Sequence, residues 1–203
     1  MPLASLAQLK TRLEIGAGTT EDGLLNLCLD AATSQIEAAG LREGILYDAA
    51  GRTEYHDGDV CTLLTRAWPI VSVTTIKEAD DGDWAGVDAL VEKTDFVVDY
   101  ARGQIVRLPR GTAWMSGSKT VQVVLKTGYL TPGATPVSGV TEPPNRLRDA
   151  CLMQAAYLYR RRHELGLSSV QVTGGAGVVP TQEFGGMPLL AGVKALLVGE
   201  RRI

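Results

Sequence analysis

Between Ala150 and Tyr159 the chain reads ACLMQAAYLY, with Gln154 as the polar exception. A stretch of this length makes nearly three helical turns, so a helix here is apolar around most of its girth. The surrounding sequence, PPNRLRDACLMQAAYLYRRRHEL, extends it in both directions. Pro143 and Pro144 stand where a helix can begin, because its first turn donates no internal amide bonds. Gly166 can close the helix after about 22 residues, or roughly 33 Å. A helix of this kind needs cover on two faces. One can pack on other helices of the chain. The other is covered either by the β-rich middle of the chain or by a second subunit. The helices and the β-rich stretch read as separate layers, which favours the subunit.

The same segment ends in Arg160, Arg161, Arg162 and His163. Successive helical residues differ by about 100°, so the three arginines fan over about 200° and cannot enter one groove together. In a last turn they offset the negative end of the helix dipole. Arg160 and Glu164 are spaced to pair. Arg161 and Arg162 continue the apolar row Leu147, Cys151, Leu158, Leu165. They are therefore expected to meet a carboxylate or a backbone end, from the same chain or the next.

Two helices precede the β-rich stretch. Leu3, Leu6, Leu9 and Leu13 recur at helical spacing over residues 3–14. A second helix is predicted to run to about Ala39, its stripe being Leu25, Cys28, Leu29, Ala32 and Ile36, with Gly40 at its end. Thr19 and Asp22 have capping-box spacing ahead of it.

Residues 45–129 are rich in Val, Thr and Ile and broken by turns. EYHDGDV reads as a hairpin around Asp57-Gly58. In IVSVTTIKE, Val71, Val73 and Thr75 share a face. DFVVDYARGQIVRLP is a hairpin turning near Arg102-Gly103. In KTVQVVLKTGY, Val121, Val123 and Leu125 alternate. About six strands suffice for a small antiparallel sheet or sandwich. A Pro/Gly linker leads to the long helix. GLSSVQVTGGAGVVPTQEFGG then reads as flexible or strand-like, and PLLAGVKALLVGE as a last short helix. The fold class is α+β, a helical bundle with a β-rich insertion and a C-terminal tail. The expected divisions are 1–40 for the N-terminal helices, 41–140 for the insertion, 141–166 for the long helix and 167–203 for the loop and tail helix.

Composition excludes several functions. No apolar run approaches the ~20 residues that span a bilayer. The N-terminus lacks a basic start followed by a long apolar run, so the expected compartment before any assembly is the cytoplasm. Cys28, Cys61 and Cys151 are too far apart for a metal site and read as buried, reduced thiols. TGGAGVVP and EIGAGTTEDG hold glycines without the lysine of a phosphate-binding loop. With two histidines and no G-x-S-x-G elbow, no catalytic constellation is legible. EADDGDW lacks the terminal glutamate of a calcium loop, since position 91 is valine. No enzyme activity and no cofactor are expected. Charge is uneven: residues 1–100 carry 18 acidic and 7 basic side chains, and residues 101–203 carry 5 and 13. Such halves can pair within a subunit or attract head to tail between subunits, or the split is plain scattered, solvated charge, since charge balance says little about fold.

In order along the chain, LAQLKTRLEI, EDGLLNLCLDAATSQIEAAG, RAWPIVSVTTIKE, DFVVDYARGQIVRL, VQVVLKTGY and PPNRLRDACLMQAAYLYRRRHE resemble the head–tail connector (adaptor) proteins of long-tailed phages. The resemblance covers most of residues 5–165. It implies a non-enzymatic virion protein at the head–tail junction, forming a ring, commonly twelvefold, beneath the portal. Such a ring extends the DNA channel and presents a surface to a downstream stopper or tail-completion protein. Genomic DNA passes through it without specific binding, and no membrane is involved. The candidate subunit or portal interface is Leu152, Met153, Tyr157, Tyr159, Arg160, Arg161 and Arg162, with Leu189, Leu190, Val193, Leu196, Leu197, Arg201 and Arg202 from the tail. The alternative is sequence-independent DNA binding by Arg160–Arg162. An isoelectric point near 5.4, 5% aromatic residues and the fan of the arginines argue against it.

Overall fold

A computed structural model describes residues 2–40, 44–162, 169–171, 181–183 and 189–198. They form two compact units, one from residues 37–143 and the other from 2–36 and 144–201.

The second unit is helical. α1 (Leu6–Leu13) starts later than its leucine spacing suggests, because Ser5 and Gln8 cap it reciprocally: each side chain accepts the other's backbone amide. It stops where Glu14 turns left-handed at φ 58°. α2 (Asp22–Gly40) buries Leu25, Cys28, Leu29, Ala32, Thr33 and Ile36, the predicted stripe plus one threonine. Thr19 and Asp22 do not make the expected capping box. The helix begins at Asp22 itself, whose amide donates to the Thr19 carbonyl. α3 (Asn145–Arg160) opens on Pro144, whose carbonyl accepts the Leu147 and Arg148 amides. It is shorter than predicted, because the last regular turn ends at Arg160 and Arg161 takes the capping position. Glu164 and Gly166, given roles above, lie outside the described residues. α4 (Ala191–Leu197) packs on α3. β7 (Ser169–Gln171) and β8 (Thr181–Glu183) pair antiparallel in the segment read as flexible or strand-like.

The other unit holds β1 (Arg52–His56), β2 (Thr62–Leu64), β3 (Ile70–Glu78), β4 (Phe96–Asp99), β5 (Gln104–Arg107) and β6 (Val121–Thr127). They form two antiparallel three-stranded sheets, ordered β1-β6-β3 and β2-β5-β4. One apolar cluster draws on both sheets, among it Ile76, Val98, Ile105, Val123 and Leu125, with Trp114 from a loop. The β4–β5 hairpin turns where expected, with Gly103 at φ 62° and the Asp99 carboxylate accepting the Arg102 amide. β6 alternates as its sequence predicts, with Val121, Val123, Leu125 and Thr127 all buried.

Two expectations fail here. Asp57-Gly58 is not a hairpin turn, because β1 pairs with β6 and β2 with β5, so the chain changes sheets at this corner. Glycine is needed there for space: a Cβ on Gly58 would lie 1.5 Å from the Met115 carbonyl oxygen, and its amide donates to Gly117. Val71, Val73 and Thr75 do not share a face either. β3 is bulged between Ile70 and Ser72 and again between Val73 and Thr75. Each bulge takes an extra residue and resets the alternation. Ile70, Val73 and Ile76 thus stand opposite the buried Thr127, Leu125 and Val123.

Candidate interaction surface

The helical unit carries the residues named above as an interface. Gln154, the polar exception in α3, is fully buried. Its amide nitrogen donates to Gln35 of α2 at 2.7 Å, and its carbonyl oxygen accepts the Leu190 amide at the start of α4 at 3.1 Å. One side chain therefore joins three helices with both of its polar atoms matched, as burial requires. Arg146 adds a second link, donating to the Leu196 carbonyl at 3.3 Å. The second face of α3 is thus met within the unit by α4, a source of cover not anticipated from the sequence.

The arginines do separate. Arg160 is exposed. The Arg161 guanidinium lies over the Tyr157 ring, 5.4 Å from its centre, and donates to the Tyr157 hydroxyl. The Arg162 guanidinium lies 4.0 Å over the Tyr159 ring and donates to the Tyr159 carbonyl at 3.0 Å. It also comes within 3.8 Å of the Glu21 carboxylate, the acidic partner expected from the first half of the chain. The Tyr159 hydroxyl donates to that same carboxylate, which raises the phenol's pKa. Glu21, Tyr159 and Arg162 therefore tie the start of α2 to the end of α3. Cation–π stacking and a half-exposed ion pair each supply on the order of 1 kcal/mol.

Leu152, Tyr159, Val193 and Leu197 are buried within their own unit, whereas Met153, Tyr157, Leu189, Leu190 and Leu196 are half-buried. Arg201 and Arg202 lie outside the described residues. Cys28 and Cys151 are buried, and burial pushes both thiols up. Cys61, expected to be buried, is exposed. It sits just before the edge strand β2, with its thiol directed to the Gly111 carbonyl. Among the described residues no group of His, Cys, Asp and Glu could hold a metal ion, and no helix is long and apolar enough to cross a membrane. In the acidic loop, the Asp81 and Asp83 carboxylates accept the Asp83 and Ala85 amides.

Sequence reasoning missed the outer face of α2. Leu27 is 67% exposed and Leu24 38%. Leu24, Leu27, Ala31 and Ser34 form an exposed row with alternating steps of three and four. That spacing was visible in the sequence, but the buried stripe beside it took the helical signal.

No protein-family model matches the chain, and no curated protein matches it. Solved structures do. A chain in the neck of an empty gene transfer agent particle, computed with C6 symmetry, aligns with 100% of this chain and 90% of its own length, at TM-score 0.55 and 20% identity. A chain in the neck of the native particle, computed with C12 symmetry, covers 98% of this chain and 88% of its own, at 0.53 and 18%. A chain in the virion of the native particle gives 100% and 90%, at 0.54 and 20%. What is shared is the fold.

Proposed function

We propose that the protein is a structural subunit of a particle neck, a head–tail connector (adaptor) that forms a ring beneath the portal. The observation that carries this reading is the full-length likeness of fold to chains in necks computed with C6 and C12 symmetry. The order of sequence segments supports it independently. On this reading twelve copies close head to tail around the DNA channel. They dock on the portal and offer their far side to a stopper or tail-completion protein. The protein works in the virion, after synthesis in the host cytoplasm, and performs no catalysis. The half-buried Met153, Tyr157, Arg161, Arg162, Leu189, Leu190 and Leu196 and the exposed Arg160 are the interface candidates with surface left to give. Val193 and Leu197 contribute by holding α4 in place.

Sequence-independent DNA binding by Arg160–Arg162 is the lesser reading, because two of the three guanidiniums are stacked on tyrosines of their own unit. Particle imaging and mass measurement of the purified protein, alone and mixed with portal, test the proposal. The expected result is a ring with a central hole. A chain that stays monomeric and ignores the portal overturns it.

A further inference from the structure

α2 is apolar on two sides. Its inner stripe is buried in the unit, while Leu24, Leu27, Ala31 and Ser34 form a second row within an arc of about 80°. A repeat alternating three and four residues is what keeps one helix facing another along its length. The charges say which helix it faces. Every charged residue of α2, namely Asp22, Asp30 and Glu37, is acidic. Asp22 pairs with Lys10 and Glu37 accepts the Ile45 amide, so it is the exposed Asp30, beside the row, that a second α2 would set against its own copy, which is unfavourable. Residues 2–36 carry 4 acidic and 2 basic side chains, whereas the described residues of 144–162 and 189–198 carry 1 acidic and 6 basic.

The outward side of α4 supplies the matching shape. Ala191 and Ala195 are exposed and small, Val198 is 67% exposed, and Lys194 stands among them. A shallow surface of small residues can accept a leucine ridge, and Lys194 offers a positive charge to a neighbour whose charges are acidic.

From this we infer that the outer face of α2 in one copy packs on the outer face of α4 in the next, with Leu27 seated against Ala191 and Ala195. The contact uses two different surfaces, so it propagates in one direction and can close a ring. It rests on the ring reading above and names the surfaces that reading leaves open.

Cross-linking tests it on the full chain. Cys61 is exposed and is first replaced by serine; Cys28 and Cys151 are buried and stay. Ala31→Cys and Ala195→Cys are then introduced, singly and together. A short bis-maleimide is applied to the concentrated protein and to assembled particles. The double variant is expected to give a ladder of oligomers in at least one sample, and neither single variant should. Dimers from A31C alone would overturn the assignment in favour of an α2–α2 contact. Rings without a ladder would overturn it while leaving the ring reading intact. Absence of both rings and ladder in both samples removes the two together. As a second readout, Leu27→Asp should raise the concentration needed for half-assembly at least tenfold, with the monomer's thermal midpoint unchanged. An unaltered assembly midpoint would also overturn the inference.

Discussion

Gly58 is fixed by space, not by backbone conformation. A methyl group there would meet the Met115 carbonyl almost at bonding distance, and a carbonyl held in a backbone cannot rotate away as a side chain would. Gly58→Ala should therefore separate the corner from residues 115–117 and cost about 2–4 kcal/mol, read from thermal or denaturant unfolding. Glu54 is fixed by charge. It is buried on β1, and burial disfavours its ionised form. Its Oε2 nonetheless accepts both from His56 at 3.1 Å and from the Arg66 amide at 2.8 Å, and these bonds hold the carboxyl below the usual carboxylate range. A carboxyl with a depressed pKa stabilises the fold above the value it has when unfolded. That stabilisation is lost as pH falls through the folded value. Glu54→Gln should thus melt earlier than the parent at pH 7, by about 1–3 kcal/mol of stability. The gap should close as pH is taken below about 4. A gap that persists at acid pH would mean that shape, not charge, is what the site requires.

Among the elements, α4 is held at its first turn by one polar contact. It has seven residues, too short to be stable alone, and its first free amides include that of Leu190, which finds its acceptor on Gln154. Gln154→Leu keeps the volume but leaves the Leu190 amide and the Gln35 carbonyl oxygen without that partner. Each such loss costs on the order of 1–3 kcal/mol if the group stays buried. The expected outcome is faster hydrogen exchange across residues 191–197, with α1–α3 little changed. Exchange that rises equally in all four helices would show that α4 is not a separate layer. The sequence made this node half visible. One polar residue in an apolar decade is conspicuous, but its partners are 119 and 36 residues away, and no local pattern points to them. The same limit explains the other misses. The α2 stripe and the β6 alternation are one-element properties and are legible from period alone. A bulge in β3 or a change of sheet at Gly58 depends on which strand lies opposite, and period carries no such information. The exposed row on α2 was legible but outweighed by the buried stripe beside it.

For the whole molecule, the charge split of the two halves acquires a location. It does not follow the two units, since each contains chain from both halves. Within the helical unit it becomes a difference between elements, with acid on α2 and base on α3 and α4. Part of that difference is spent inside the subunit, as in the approach of Arg162 to Glu21. Arg160 and Lys194 are exposed and can act outside it. If copies meet through these surfaces, two forces with opposite salt responses hold them. Charge attraction between exposed groups weakens as the screening length shrinks from about 10 Å at 0.1 M salt to about 3 Å at 1 M. Burial of Leu27 and Val198 is not weakened by sodium chloride in this way, and sulfate strengthens it. Raising sodium chloride from 0.1 to 1 M should therefore shift the assembly midpoint to higher protein concentration, while the same ionic strength of sodium sulfate should shift it less. In an Arg160→Glu, Lys194→Glu variant the chloride dependence should flatten or reverse, because the attraction it screens has been removed. Mass distributions recorded across the two salt series decide the matter. A midpoint that ignores both salts and both substitutions would show that the charged faces of the helical unit take no part in assembly.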